Sequence, residues 1–227
     1  MPVNSKSNVA IIDFGMGNLF SIKRACEHAG LSAFITSDSA GIVNSDSAIL
    51  PGVGAFGIAM RNIKKLDLAG PIKDFIGTGR PFMGICLGMQ LLLTKSEEFG
   101  VHEGLNIIKG SVVNFSSGRD SNKGMKVPQV GWNKLKRPDD KKGDYWEDSL
   151  LRGIRDGEFM YFVHSYFVAP DTHDSVLSYT SYEGIRYCSS LERDNIFACQ
   201  FHPERSAGQG LKIYQNWAEL IRKKENR

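Results

Sequence analysis

A single cysteine, Cys86, stands between Gly84 and Gly88 in the segment PFMGICLGMQLLL, residues 81–93. An apolar run that ends in G-x-C-x-G and continues into an apolar-periodic helix is typical of a nucleophile elbow. The glycines would allow a tight turn, and the start of the following helix would favour the thiolate over the thiol. Free cysteines are also among the most buried residue types, so this pattern alone leaves a purely structural role for Cys86 open.

A cysteine nucleophile needs a base, and the base needs a group that orients it. Of five histidines, His202 best suits this role, because it follows a buried strand predicted at residues 196–201 and is followed by Pro203 and Glu204. Glu204 lies two positions on, at a spacing that allows its carboxylate to reach the far nitrogen of the imidazole. Cys86, His202 and Glu204 therefore form a candidate acyl-transfer triad.

A third candidate element is the glycine turn Gly52-Val53-Gly54, which follows a short apolar run at residues 48–50. Such a turn can present backbone N–H groups to an anionic oxygen near the elbow. Its spacing is equally that of an ordinary turn. It does not complete the G-x-G-x-x-G pattern of a dinucleotide site, so we expect no nucleotide cofactor.

The elements that must position these groups alternate between strands and helices in the first hundred residues. The predicted strands are residues 9–14, 33–36, 48–50 and the run from 81 to the elbow, and the predicted helices are residues 19–29, 56–65 and 69–76. Alternation of this kind indicates βαβ units and a mostly parallel sheet covered by helices on both faces. Functional groups then gather at the carboxyl ends of the strands.

After residue 100 the pattern becomes β-rich. We predict strands at residues 107–115, 126–135, 159–168, 175–179, 185–191 and 196–201, and a closing helix at residues 210–224. The polar segments 116–124 and 137–148 are typical of surface loops. The whole predicts an α/β fold with an additional β-rich segment, in a single domain over residues 9–227 after a flexible tail at residues 1–8.

Composition excludes several classes of protein. The chain has 227 residues, of which 41% are hydrophobic, and a net charge of +3 from 28 basic and 25 acidic residues. This balance does not favour nucleic acid as a partner, and no apolar run approaches the roughly 18 residues of a membrane span. Its four cysteines show no CxxC spacing, which argues against a zinc site and against a disulfide framework. We therefore expect a cytoplasmic protein that binds no metal.

The motifs around the triad resemble those of class I glutamine amidotransferases, with G-I-C-L-G at the cysteine and F-H-P-E at the histidine and glutamate. More narrowly, the chain resembles the glutaminase subunits of imidazole glycerol phosphate synthases. Five segments carry this narrower resemblance: IIDFGMGNL at 11–19, LPGVGAF at 50–56, GICLGMQLL at 84–92, VPQVGWN at 127–133 and YFVHSYF at 161–167. They stand in register over nearly the whole chain.

The resemblance implies that Cys86 attacks the side-chain amide of glutamine, that His202 transfers protons and that Glu204 holds the imidazole tautomer. It also implies binding roles for the eight residues Gly52, Val53, Gly54, Leu87, Gln90, His164, Ser165 and Tyr166. Backbone N–H groups of Leu87 and of the Gly52-Val53 peptide would bind the oxyanion, after a reorientation. No cofactor is implied.

The resemblance further implies a partner, a (β/α)₈-barrel cyclase that receives the ammonia and makes imidazole glycerol phosphate for histidine synthesis. Residues 129–133, including Trp132, match the region that meets this barrel. Arg205 stands where the family commonly has lysine, and both polar loops look long. These departures from the family pattern leave a second interpretation, in which the chain is a related glutaminase subunit that feeds ammonia to a sugar amidotransferase. A non-catalytic regulatory module and an independent cysteine hydrolase are the alternatives from other classes.

Overall fold

The computed structural model describes residues 7–115, 125–141, 143 and 145–225. Most strands lie where apolar runs predict them. In chain order they are β1 (Asn8–Ile12), β2 (Ser32–Thr36), β3 (Ser47–Leu50), β4 (Phe82–Ile85), β5 (Leu93–Ser96), β6 (His102–Glu103), β7 (Ile108–Asn114), β8 (Gln129–Lys134), β9 (Phe159–His164), β10 (Tyr166–Pro170), β11 (Val176–Tyr182), β12 (Ile185–Arg193) and β13 (Ile196–Cys199).

Most helices lie where the apolar periodicity predicts them, and the short helix at Ser39–Val43 is one that the sequence analysis did not predict. The helices are α1 (Leu19–His28), α2 (Ser39–Val43), α3 (Phe56–Lys65), α4 (Ala69–Gly77), α5 (Leu87–Leu91) and α6 (Ala207–Glu225), with a 3₁₀ turn at Pro203–Arg205. Gly30 ends α1 with a φ of +82°, the conformation that favours glycine after a helix. Asn18 occupies the N-cap position of α1, but its side chain makes no capping hydrogen bond.

The described strands form an eleven-stranded sheet and a separate two-stranded hairpin. The main sheet has the order β2-β1-β3-β4-β13-β12-β10-β7-β5-β6, with β11 paired to β12, and the hairpin is β8-β9. The first five strands in this order are parallel to one another, and antiparallel pairs predominate beyond β13. The carboxyl ends of β3, β4 and β13 therefore lie side by side, which brings the predicted site residues to one edge.

Two apolar layers cover the sheet, as the alternation of residues along β1 demonstrates. Val9 and Ile11 point into a core closed by α1 and α6, whereas Ala10 and Ile12 point into a second core closed by α2, α3 and α4. All four side chains are fully buried. A strand buried on both faces carries a continuous apolar run, which is why β1 was readable from sequence.

The structure departs from the sequence predictions after the elbow. The apolar run there does not continue as a long helix, because α5 ends at Leu91 and the chain enters β5, which pairs with β7. A fully apolar run fits a buried helix and a buried strand equally well. The strand predicted at 159–168 is likewise two strands, β9 and β10, which belong to different sheets and separate at Ser165.

The two predicted loops have different outcomes. The segment 116–124 lies outside the described residues. The described residues of the segment 137–148 are irregular as predicted, but they do not all lie at the surface, because Trp146 is buried and its Nε1–H donates to the Leu177 carbonyl at 2.8 Å. Among the described residues, no helix has the length and apolar character needed to cross a membrane.

The close packing of α5 against β3 gives a test of the elbow's construction. A Cβ atom added at Gly88 would lie 1.8 Å from the Leu50 carbonyl oxygen, so backbone would have to move. We expect Gly88→Ala to lower the free energy of unfolding by about 1–3 kcal/mol, as overpacked substitutions do. Urea denaturation measures this loss.

Gly77→Ala is the matched control, because no atom lies within 4 Å of its added Cβ at the end of α4. Alanine is also the better helix former, so this variant should lose no stability. Equal unfolding midpoints for Gly88→Ala and the parent protein would contradict the packing argument.

Candidate active site

Cys86 occupies a strained bend between β4 and α5. Its backbone has φ +53° and ψ −108°, a conformation that non-glycine residues rarely adopt. Its N–H donates to the Cys199 carbonyl of β13 at 2.7 Å. The neighbouring strand therefore holds the bend, and the thiol is directed off the edge of the sheet.

The flanking glycines serve a different purpose from the one predicted. Neither Gly84 nor Gly88 has a positive φ, and the strain falls on Cys86 itself. A Cβ at Gly84 would lie 3.2 Å from Ala198 and from the backbone of α5. The glycines are therefore required by the close approach of β3, β13 and α5, and the freedom to turn is not what they supply.

His202 and Glu204 form a buried pair beside the elbow. His202 follows β13 at the start of the 3₁₀ turn, and its Nδ1 lies 2.8 Å from Glu204 Oε1. The carboxylate accepts the Nδ1–H, which leaves Nε2 as the nitrogen that can exchange a proton. That Nε2 is buried and has no partner of ordinary hydrogen-bond geometry among the described residues.

The electrostatics of His202 couple it to Cys86. Burial is the largest influence on its pKa and lowers it, but Cys86 and Glu204 together outweigh burial and raise the pKa of His202 to about 10. The larger of the effects that Cys86 has on the imidazole is that of its charge. A protonated imidazole beside the sulfur is the arrangement from which a cysteine nucleophile reacts.

The thiol opens into a cavity of about 410 Å³. Seven of the eight predicted binding residues line it: Val53, Gly54, Leu87, Gln90, His164, Ser165 and Tyr166. The eighth, Gly52, packs against the Leu87 side chain. Three larger clefts, of about 610, 620 and 480 Å³, lie around Arg137, Asp139 and Arg193 and contain no cysteine. We take the smaller cavity as the site because it alone among these four holds the candidate nucleophile.

The expected oxyanion donors are not both available in this arrangement. The Leu87 N–H donates to the Gly52 carbonyl at 3.3 Å, so the peptide after Gly52 directs its oxygen towards the elbow. Gly54, two residues on, has a φ of +100°. A backbone N–H engaged by a carbonyl cannot also bind a developing oxyanion.

His164 closes the cavity as a neutral group. Burial lowers the pKa of His164 to about 4, against the opposing effect of the Tyr166 carbonyl. Its Nδ1 therefore carries the proton and donates to the Tyr166 carbonyl at 2.9 Å, and its Nε2 lies 3.2 Å from the Tyr187 hydroxyl. Gln90 Nε2 donates to the same Tyr166 carbonyl at 2.8 Å.

Glu98 also lines the cavity, and the sequence analysis missed it. Its carboxylate accepts the N–H of Phe56, which holds it at the start of α3. A carboxylate at a cavity wall is a group that can bind an ammonium. Its place depends on β5, a strand that the sequence analysis did not predict, so prediction of that strand would have been the signal that locates Glu98.

The described residues contain no group of three or more His, Cys, Asp or Glu arranged to hold a metal ion. The titratable groups of the site are instead arranged for proton transfer, because the imidazole lies between the thiol and the carboxylate. This is chemistry for acyl transfer through a covalent thioester.

Comparison with known proteins identifies relatives over nearly the whole chain. The family model for "Glutamine amidotransferase class-I" matches residues 10–219. The imidazole glycerol phosphate synthase subunit HisH of Caldanaerobacter subterraneus is 47% identical over 214 residues, covering 94% of this chain and 98% of that protein. The subunit of the same name from Geobacter sulfurreducens is 43% identical over 218 residues, covering 94% and 99%.

Solved structures agree on the fold. The structure of PurLQS from Thermotoga maritima contains a chain that superposes with a TM-score of 0.67 at 17% identity, over 95% of this chain and 99% of that one. At this level of identity the match bears on architecture alone.

The charge coupling between His202 and Cys86 can be measured directly. We expect Cys86→Ser to lower the pKa of His202 by at least about one unit, because an opposite charge a few ångströms away is removed while burial remains. Titration of the imidazole nitrogens by ¹⁵N NMR reports the change. Cys188→Ser is the control, since burial raises the pKa of that thiol and keeps it neutral. Identical His202 titrations in both variants would refute the coupling.

Proposed function

Because the chain belongs to the class I glutamine amidotransferase family, we propose that it hydrolyses glutamine as the glutaminase subunit of an imidazole glycerol phosphate synthase. The observation that carries this proposal is the 43–47% identity to subunits of that name over more than nine-tenths of the chain. The geometry at Cys86 supports it independently, because a thioester mechanism needs the three groups found there.

In the proposed mechanism the Cys86 sulfur attacks the side-chain carbonyl carbon of glutamine. His202 then gives its Nε2 proton to the departing nitrogen, so that ammonia leaves and a glutamyl thioester remains. A water molecule, deprotonated by the same nitrogen, attacks the thioester and releases glutamate and the thiolate. Glu204 accepts the Nδ1–H throughout and keeps Nε2 directed at the reacting atoms.

The oxyanion formed in both steps requires donors that the present arrangement engages elsewhere. Rotation of the Gly52-Val53 peptide would break the bond between the Gly52 carbonyl and the Leu87 N–H, and would turn the Val53 N–H towards the elbow. The site would then hold two donors at the oxyanion. We infer that glutamine hydrolysis is slow until this peptide turns.

Ammonia that escapes into water is protonated and loses its nucleophilicity, so a partner must receive it in a closed path. The hairpin β8-β9 offers a surface for that partner. Val130, Trp132 and Phe159 lie on one face of it and are 59%, 52% and 45% exposed. An apolar, aromatic face of this kind is typical of protein interfaces.

The same hairpin reaches the nucleophile. The Val163 carbonyl of β9 lies 3.9 Å from Cys86 Sγ, and Val163 pairs across the hairpin with the exposed Val130. A partner on the hairpin face would therefore sit next to the point where ammonia is released. We propose that this partner is a (β/α)₈-barrel cyclase, which combines the ammonia with its own substrate.

Loss of the nucleophile should separate the two halves of the reaction. With the barrel cyclase bound, we expect Cys86→Ala to lower glutamine-dependent product formation at least about a thousandfold. Synthesis from added ammonium salt should persist, because the cyclase is untouched. Coupled assays of glutamate release and of imidazole glycerol phosphate formation measure both rates.

Cys26→Ala serves as the control, since Cys26 is buried on α1 and does not line the cavity. Normal glutamine turnover by Cys86→Ala would overturn the mechanism. Full activity of the isolated chain would instead indicate an independent hydrolase. Activation by a sugar-amidating synthase and not by the cyclase would leave the glutaminase intact and reject the histidine-pathway assignment.

The hairpin face gives a separate test of the partner. Trp132→Ala should weaken binding of the cyclase by about 2 kcal/mol or more, as truncation of a central interface aromatic does. Its melting temperature should hardly change, because the side chain is half exposed. Leu66→Ala removes a comparably exposed apolar side chain, at the far end of α3, and should bind normally. Unchanged affinity of Trp132→Ala by calorimetry would place the interface elsewhere.

A further inference from the structure

Gln200 is a fully buried amide that contacts the candidate nucleophile. It lies between β13 and His202, and its backbone N–H donates to the Ser189 carbonyl at 2.9 Å. Its side-chain Nε2 lies 3.6 Å from Cys86 Sγ, within hydrogen-bond range for sulfur, and its Oε1 lies 3.1 Å from Gln90 Nε2. The mechanism described above assigns no role to this side chain.

The orientation of the Gln200 amide follows from its neighbours. The Tyr166 carbonyl can only accept a hydrogen bond, so the Gln90 group 2.8 Å from it must be the NH₂. That same NH₂ faces Gln200, so the Gln200 atom facing it must be the carbonyl oxygen. The Gln200 NH₂ is thereby directed at the sulfur. Reversing the amide would set two donors against each other in a buried site and leave an oxygen facing the sulfur, which is unfavourable because buried donors without acceptors are costly.

We propose that Gln200 is a further catalytic residue, whose side-chain N–H donates to the Cys86 sulfur and stabilises the thiolate. The proposal deepens the proposed function and rests on it for the role of Cys86 as nucleophile. Gln200 differs from His202 because an amide carries no proton that it can give up. It therefore remains a donor in both the thiolate and the thioester states.

The donated bond favours those states in which the sulfur carries most negative charge. These are the free enzyme and the moment when the thioester breaks and the thiolate leaves. A thioester sulfur is a poorer acceptor, so the interaction is weaker in the intermediate. Gln200 thus assists expulsion of the thiolate during hydrolysis, and it stabilises the sulfur of the resting nucleophile.

The charged and titratable groups around the sulfur come from several elements. His202, with Glu204 behind it, follows β13, and His164 lies on β9 as a neutral group. Burial raises the pKa of Tyr187 on β12 and of Cys199 on β13, so both stay neutral, and Glu98 lines the same cavity. Gln200 is itself uncharged, so its replacement by leucine removes one donor and leaves every charge in place. A shift in the ionisation of Cys86 then reports the lost N–H and no change in charge.

The test measures the ionisation of Cys86 without glutamine turnover. Alkylation of the folded full-length chain by iodoacetamide, followed at the Cys86 peptide by mass spectrometry, gives a rate at each pH. We expect Gln200→Leu to move the midpoint of this profile upward by about one pH unit, with alkylation about tenfold slower below the midpoint. The other three cysteines, Cys26, Cys188 and Cys199, are buried and, unlike Cys86, do not line the cavity, so they should react slowly in all variants.

Ser189→Ala is the matched control. It removes a buried hydroxyl from the adjoining strand β12, and that hydroxyl is hydrogen-bonded to Ser178 and not to the sulfur. Its midpoint should equal that of the parent protein. Gln200→Met keeps the length of the side chain, has no N–H and adds no charge, so it should move the midpoint upward by the same amount as Gln200→Leu. This variant decides the question if Gln200→Leu does not fold.

An unchanged midpoint in a folded Gln200 variant would overturn the proposal. So would a shift of the same size in Ser189→Ala, since that would indicate a general loss of packing. Because the readout is alkylation, a normal midpoint shift in a chain without glutaminase activity would reject the proposed function and retain the Gln200–Cys86 interaction. An unchanged midpoint in a chain with full glutaminase activity would reject the Gln200–Cys86 interaction and retain the proposed function.

Discussion

The parallel pairing of β4 with β13 determines where the nucleophile meets its base. Ile85 pairs with Cys199, and the next residue, Cys86, donates its N–H to the Cys199 carbonyl. Both chains leave the sheet at the same edge, one into α5 and the other towards His202. Every other feature of the site, from the strained φ at Cys86 to the burial of Glu204, depends on these two strand ends being neighbours.

A second constraint is the scarcity of charge inside the site. His164 remains neutral because burial lowers its pKa, and the amides of Gln90 and Gln200 satisfy one another and the Tyr166 carbonyl. In a medium of low polarity each of these groups would be costly if left unpaired. The network therefore holds polar side chains next to the sulfur without adding a charge that competes with His202.

Much of this site was predictable from the sequence, and the remainder was not for identifiable reasons. Cys86, His202 and Glu204 could be predicted as site residues because apolar runs mark the strands that precede them. The resemblance of these segments to known motifs then indicated glutamine hydrolysis as the reaction. Glu98 was missed because an apolar run after the elbow does not distinguish helix from strand. Gln200 was missed because its role depends on side-chain contacts between three segments, which strand periodicity does not reveal.

The register of the hairpin has an evolutionary consequence. Gln129 and His164 face the interior as a pair, whereas Trp132 and Tyr161 form a pair on the opposite face. A slip of one residue in the strand pairing would exchange the two faces entirely, so the pocket residues and the outer-face residues are inherited together in one fixed register. Alternate positions are nevertheless separately mutable. Descendants of this chain could diversify the outer face for new associations while the inner face, and with it the reaction, is conserved.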